Sequence, residues 1–117
     1  MTTVVFYRTG RGRVAGFDAV GHAGFAEAGE DIVCAGVSAL TQTAVNALER
    51  VAGIQPWVRI APGLLCVRLT DEGAPVARHD AQVILRTMHQ GIRDMTAAYP
   101  AYVRVLWKER RCSKCFK

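Results

Sequence analysis

Long apolar runs are missing from this sequence: no stretch approaches the roughly 18 residues needed to span a bilayer. A membrane partner is therefore not expected. The opening Met-Thr-Thr-Val-Val-Phe-Tyr-Arg lacks the basic-then-apolar order of a signal peptide, which sets the expected compartment as the cytoplasm. Cysteines are few as well. Of the four, Cys34 and Cys66 lie in apolar segments and Cys112 and Cys115 in a basic tail, so a dense disulfide framework is excluded and reduced thiols are expected. Also lacking are Ser/Pro/Gln tracts, an aromatic-rich RNA-binding signature and a complete zinc-finger spacing, which argues against disorder and against a primary nucleic-acid function.

What remains is the composition of a folded globule: half of the 117 residues are hydrophobic and about a fifth charged, room for one domain with a real core. The formal charge of +5 admits an RNA or ribosome partner, yet Arg8, Arg11, Arg13, Arg110, Arg111, Lys114 and Lys117 put much of it near the two ends.

Residues 4–7 form a short β-rich run, and the Arg/Gly turn at 8–13 should return the chain as a strand over 14–20. Residues 21–30 hold three glycines and three alanines around one His and one Phe, without either period, and read as a loop. From Asp31, Val33, Val37, Leu40, Ala44, Leu48 and Val51 recur at three and four, which predicts a helix capped by Asp31 and stopped by Gly53. A second hairpin, 57–60 and 64–69, turns at Ala61-Pro62-Gly63; a second helix buries Ala81, Ile84, Leu85, Met88, Ile92 and Met95 and ends near Tyr99, before Pro100; a last strand covers 102–107. The expected fold is α+β (an α/β sandwich) of order ββαββαβ, one mixed sheet packed with two helices, with a domain over 1–108 and a basic tail over 109–117.

One segment pairs a His with a Cys. Cys34 is expected in the first turn of the first helix, where free backbone N–H groups and the macrodipole favour a thiolate. It lies off the apolar stripe, on a face shared with Ser38 and Thr41. His22 ends the second strand and could be held near enough to deprotonate it.

The string Gly21-His22-Ala23, a small-residue loop with Gly29, then Asp31-Ile32-Val33-Cys34-Ala35 and Val37-Ser38-Ala39-Leu40, resembles the ribosomal-processing cysteine proteases called Prp, and the element order matches over roughly residues 1–108. The resemblance implies a homodimeric cysteine endopeptidase that removes the N-terminal extension of large-subunit ribosomal protein twenty-seven during bacterial ribosome maturation, with His22 and Cys34 as the catalytic pair. No cofactor is expected. Gly36 departs from the alanine common in the family, at a helix-propensity cost of about 1 kcal/mol, and the Cys112-Ser113-Lys114-Cys115 extension lies past the shared region.

Asp31 is either a helix cap or the group that orients His22, and Ser38 either bonds thiolate or substrate or is a small packing residue. Oxyanion donors are expected among backbone N–H groups, of Cys34 itself or of the loop before it. Glu27, Glu30 and Asp31 make this edge acidic, suited to a basic peptide. Residues 23–30, with Gly24, Phe25 and Gly29, form the expected substrate loop, mobile until peptide binds, with Phe25 packing on it. Cys66 is expected in the core, His79 and His89 at the surface, and Cys112-x-x-Cys115 as a reduced pair without metal, since two further zinc ligands are lacking. Two other functions compete: a non-enzymatic ribosome- or RNA-binding protein using its basic ends, and a thiol redox protein using the tail pair, whose cysteines do not open a helix after a strand.

Overall fold

A computed structural model describes residues 1–21, 28–70 and 73–110, with side chains described for these except 28–31. The elements are β1 (Thr2–Arg8), β2 (Val14–Val20), α1 (Ala28–Arg50), β3 (Trp57–Ala61), β4 (Leu64–Arg68), α2 (Pro75–Ala98) and β5 (Val103–Glu109). The ββαββαβ order is as expected. β5 ends at Glu109, one residue past the expected domain limit, and Arg110 N–H still bonds the Arg8 carbonyl at 2.8 Å.

The strands form one mixed sheet in the order β3-β4-β2-β1-β5, in which only the β1–β5 pairing is parallel. Alternation along the strands sorts the two faces. Val4, Phe6, Phe17, Val67 and Val103 point to one side and form a single core with Val33, Val37, Ala44 and Leu48 of α1 and Ala81, Leu85, Met88 and Ile92 of α2. Val5, Tyr7, Asp18, Cys66 and Arg68 alternate with these and stay outside that core. Both helices therefore cover the same face. They meet through small residues: a Cβ on Gly36 would lie 2.8 Å from Met95 Cε, and one on Gly91 would lie 3.1 Å from the Leu40 methyls.

α2 begins at Pro75, whose fixed φ suits a first helical turn, and closes with Tyr99 N–H on the Met95 carbonyl at 2.7 Å, before Pro100. α1 ends at Arg50, and Gly53, at φ 71°, turns the chain so that Ile54 N–H reaches the Leu48 carbonyl at 2.8 Å. That turn takes Val51 off the core face, where it was expected; it is 71% exposed, and Ala52 is buried instead.

The expected loop over 21–30 gives way to helix at Ala28, so Asp31 lies within the first helical turn and not before it. His79 is exposed as expected, but His89 is half-buried, edge-on to Phe6 and beside Trp107, whose Nε1–H donates to His89 Nε2 at 3.0 Å. Burial, with Arg93 nearby, pushes the His89 imidazole below its ordinary value.

Candidate active site

The sheet is wider than the helix layer. On β3 the core-side residues are Val58 and Ile60, paired with Val67 and Leu65, and Ile60 is 78% exposed, with no helix of the described residues over it. The overhang leaves a groove of about 310 Å³ between the exposed side of α1 and the β3–β4 hairpin. Cys34, Val37, Ser38, Thr41 and Gln42 line it from α1; Ala19, Ile60, Leu64 and Leu65 line it from the sheet; Thr2, Gly21 and Gly63 close one end.

Cys34 is half-buried at this closed end. Its Sγ lies 3.4 Å from Thr2 Oγ1, and either atom can donate. Thr2 is the first residue of β1, 5% exposed, and its backbone N–H bonds the Tyr102 carbonyl at 2.8 Å. A sulfur with a buried hydroxyl on one side and open groove on the other is a thiol placed to meet a ligand.

The expected stripe is present with one change. Ser38 is exposed one turn beyond Cys34 and lines the groove, whereas Thr41 is 2% exposed and turns its hydroxyl onto the Val37 and Ser38 carbonyls at 3.0 and 3.2 Å. Thr41 therefore shapes the wall without offering a free hydroxyl to it.

The helix start at Ala28 moves Cys34 out of the first turn and into the second. The macrodipole effect falls off within one turn, and Cys34 N–H is an internal rung of the helix ladder, so neither the expected helix-terminus activation nor an oxyanion donor at Cys34 N–H survives. Side-chain neighbours must do more of the work.

Gly21 is held where it meets Gly63: its N–H donates to the Gly63 carbonyl at 3.0 Å, and a Cβ on Gly63, at φ 68°, would lie 2.5 Å from the Gly21 carbonyl oxygen. The chain thus leaves the described residues beside the groove, with His22 next in sequence. His22, Gly24, Phe25 and Glu27 lie outside the described residues, as do the side chains of Glu30 and Asp31, although Gly29, Glu30 and Asp31 belong to the first turn of α1. Cys112 and Cys115 also lie outside them.

Cys66 is not a core residue. It faces outward from β4, opposite Asp18 of β2 and Arg59 of β3. Arg68 Nη1 and Nη2 bond the two Asp18 oxygens at 2.6 and 3.2 Å, Tyr7 Oη donates to Asp18 Oδ2 at 2.7 Å, and the Arg68 guanidinium stacks between Tyr7 and Trp57 at 4.6 and 5.9 Å. Burial and then Asp18 push the Cys66 thiol up and the Tyr7 phenol to about 12. Burial works to raise Asp18 too, but hydrogen bonds from Arg68, Tyr7 and Cys66 outweigh it and hold the carboxyl below its ordinary value.

Sequence reasoning missed Thr2 and Ile60 as parts of the site. A threonine in a β-rich start and an isoleucine in a strand carry no signal of their own; only the strand order brings them to Cys34. Among the described residues, no group of three or more His, Cys, Asp or Glu gathers as metal ligands, and no helix is long and apolar enough to cross a membrane.

Residues 1–104 match the family described as cysteine protease Prp. The ribosomal processing cysteine protease Prp of Bacillus subtilis is 35% identical over 94 residues, 79% of this chain and 84% of that protein. The Prp of Staphylococcus aureus is 31% identical over 110 residues, covering 92% of this chain and all of its own. The crystal structure of the S. aureus protease in complex with a substrate peptide superposes with a TM-score of 0.83 at 30% identity, covering 92% of this chain and all of that one. SMU.848 from Streptococcus mutans reaches the same TM-score at 27% identity, covering 94% of this chain and 96% of that one.

Proposed function

This chain belongs to the cysteine protease Prp family, and from that premise we propose that Cys34 is its nucleophile and His22 its general base, acting on the N-terminal extension of large-subunit ribosomal protein twenty-seven. That the chain is a cysteine protease follows from the family; the residue roles and the substrate are the reading offered here. The observation that carries it is the position of Cys34, half-buried at the closed end of a groove whose long open side is an uncovered sheet edge.

In this reading His22 takes the proton from Cys34 Sγ, and the thiolate attacks the scissile carbonyl carbon. The tetrahedral oxyanion collapses to a thioester as the amine leaves with the proton held by His22. A water, deprotonated by His22, then attacks the thioester carbonyl and frees the acid and the thiol. Ser38 lines the groove one turn along from Cys34 and contacts thiolate or substrate; Asp31, one turn earlier, orients His22. The apolar sheet wall of Leu64, Leu65 and Ile60 suits an extended peptide with apolar side chains, and the carboxylates of Glu27, Glu30 and Asp31 suit its basic residues. Gly24 and Phe25, outside the described residues, and Gly29, in the first turn of α1, contribute contacts to the peptide.

The protein works as a cytoplasmic homodimer, the sheet face that neither α1 nor α2 covers offering a surface to the second copy. No cofactor, membrane or nucleic acid takes part. The tail from Cys112 onward lies past the matched residues and is dispensable.

The test is cleavage of a peptide copying the ribosomal protein's N-terminus. His22→Ala should lose about a hundred-fold or more, since general-base catalysis contributes on that order. Retention of most activity would remove His22 from the site. A non-enzymatic RNA-binding protein would instead cut nothing and bind RNA with a steep salt dependence.

A further inference from the structure

We propose that Thr2 is the positioning residue for the Cys34 thiol, its buried hydroxyl holding the sulfur toward the groove in both protonation states. The inference rests on the reading of Cys34 as nucleophile. Three observations carry it, beginning with the distance: Thr2 Oγ1 and Cys34 Sγ are 3.4 Å apart, within hydrogen-bond range for sulfur. A thiol can donate to the hydroxyl oxygen, but a thiolate can only accept. The Thr2 hydroxyl, free to rotate, reverses its role from acceptor to donor when the proton leaves. The sulfur keeps a partner throughout, and the charged state gains the stronger bond.

The second observation is that Thr2 has little freedom to do anything else. It is 5% exposed, opens β1 beside β5 in register with Val103, and is tied through its N–H to the Tyr102 carbonyl at 2.8 Å. A β-branched side chain on such a backbone has few χ1 choices. The hydroxyl is therefore a fixed post and not a wandering surface group.

The third is the space around it. A Cβ on Gly21 would stand 2.8 Å from Thr2 Oγ1 and 2.9 Å from Thr2 Cγ2. Gly21 precedes His22 in the chain, so the last described residue before the proposed general base packs directly on the threonine that holds the nucleophile. Thr2 thereby sets the sulfur relative to the strand end from which His22 departs. No side chain other than hydrogen at position 21 leaves Thr2 where it is.

Peptide cleavage and the pH dependence of Cys34 alkylation, measured on wild type, Thr2→Val, Thr2→Ser, Gly21→Ala and Cys34→Ala, test this. Thr2→Val keeps the shape and removes the hydroxyl. It should lower kcat about tenfold with KM within about twofold, and shift the midpoint of Cys34 alkylation to higher pH, the size expected for one bond to a charged group. Thr2→Ser should recover kcat to within about threefold. Gly21→Ala should lower kcat in the same direction, and the Gly21→Ala/Thr2→Val pair should lose less than the two single losses combined. Wild-type kcat and an unmoved alkylation profile in Thr2→Val would overturn the role of Thr2 while leaving Cys34 in place. Wild-type cleavage by Cys34→Ala would instead overturn the nucleophile itself.

Discussion

Two half-buried thiols stand on opposite faces of one sheet, and their company differs in kind. Cys66 looks out from the uncovered face beside a carboxylate, inside a cluster in which Arg68, Asp18 and Tyr7 already satisfy one another. Cys34 looks from α1 across the covered face into open groove, with a hydroxyl behind it. A neighbouring carboxylate disfavours a thiolate; a neighbouring hydroxyl can donate to one. Partial burial alone therefore does not mark a nucleophile. What sets Cys34, the proposed nucleophile, apart is a neighbour able to give a hydrogen bond, together with open groove on the other side.

The largest effect that could break the comparison is on cleavage. Cys34→Ala should cost at least about a thousand-fold in kcat/KM, as loss of a covalent nucleophile does, with little change in folding. Cys66→Ala should stay within about twofold in the same assay. Peptide cleavage by the two variants measures the contrast directly, and a reversed order would exchange the two thiols' roles.

Next in size is the stability invested in the uncovered face. Arg68→Ala strips Asp18 of a two-pronged partner while leaving it mostly buried, and should destabilise the fold by about 2–3 kcal/mol in chemical denaturation. It should leave kcat nearly unchanged, because none of these groups lines the groove. The sign of the acid dependence follows from the lowered Asp18 carboxyl. Its contribution is fully present above the unfolded value of about 3.9 and is lost as pH falls through the lower folded value, so Arg68→Ala should flatten that acid limb.

A smaller effect lies on the covered face at His89, which accepts from Trp107 and whose imidazole is pushed below 6.5 by burial and by Arg93. A lowered folded value means that the unfolded chain binds the proton first. Stability should be complete above 6.5 and fall as pH drops from there through the folded value. His89→Gln keeps a hydrogen-bonding group and should remove that slope in thermal melts run between about pH 7 and 5.

The smallest concerns Gly36. Replacing it with Ala gains about 1 kcal/mol of helix propensity, against the cost of moving the flexible tip of Met95, 2.8 Å from the new Cβ. A net stabilisation of about 0.5 kcal/mol in denaturant unfolding is expected, with cleavage unaffected.

The sequence made some of this legible and hid the rest for physical reasons. β2 falls on 14–20 as read, because an Arg/Gly turn and a β-rich run bracket it. α2 buries Ala81, Leu85, Met88 and Ile92 as its period demands. The start of α1 is hidden: Ala28 and Gly29 are too small to show a period, so the apolar pattern opens the helix at Asp31 and puts Cys34 in its first turn. Cys66 looked like core because Leu64-Leu65-Cys66-Val67 is apolar throughout, and only pairing with β2 reveals that it faces Asp18. His89 looked like surface because its partners, Phe6 and Trp107, come from strands far along the chain. Of the residues lining the groove, spacing and family resemblance single out Cys34 and Ser38, whereas nothing in the sequence singles out Thr2. Its role depends on β1 lying beside β2 with its first residue under α1.

The most direct test of the two-thiol comparison is to alkylate the protein with limiting iodoacetamide at neutral pH, follow peptide cleavage, and map the modified cysteines by mass spectrometry. The account predicts that activity falls in proportion to modification of Cys34 and is indifferent to modification of Cys66. Activity that survives complete modification of Cys34, or that falls in step with Cys66 instead, would contradict it.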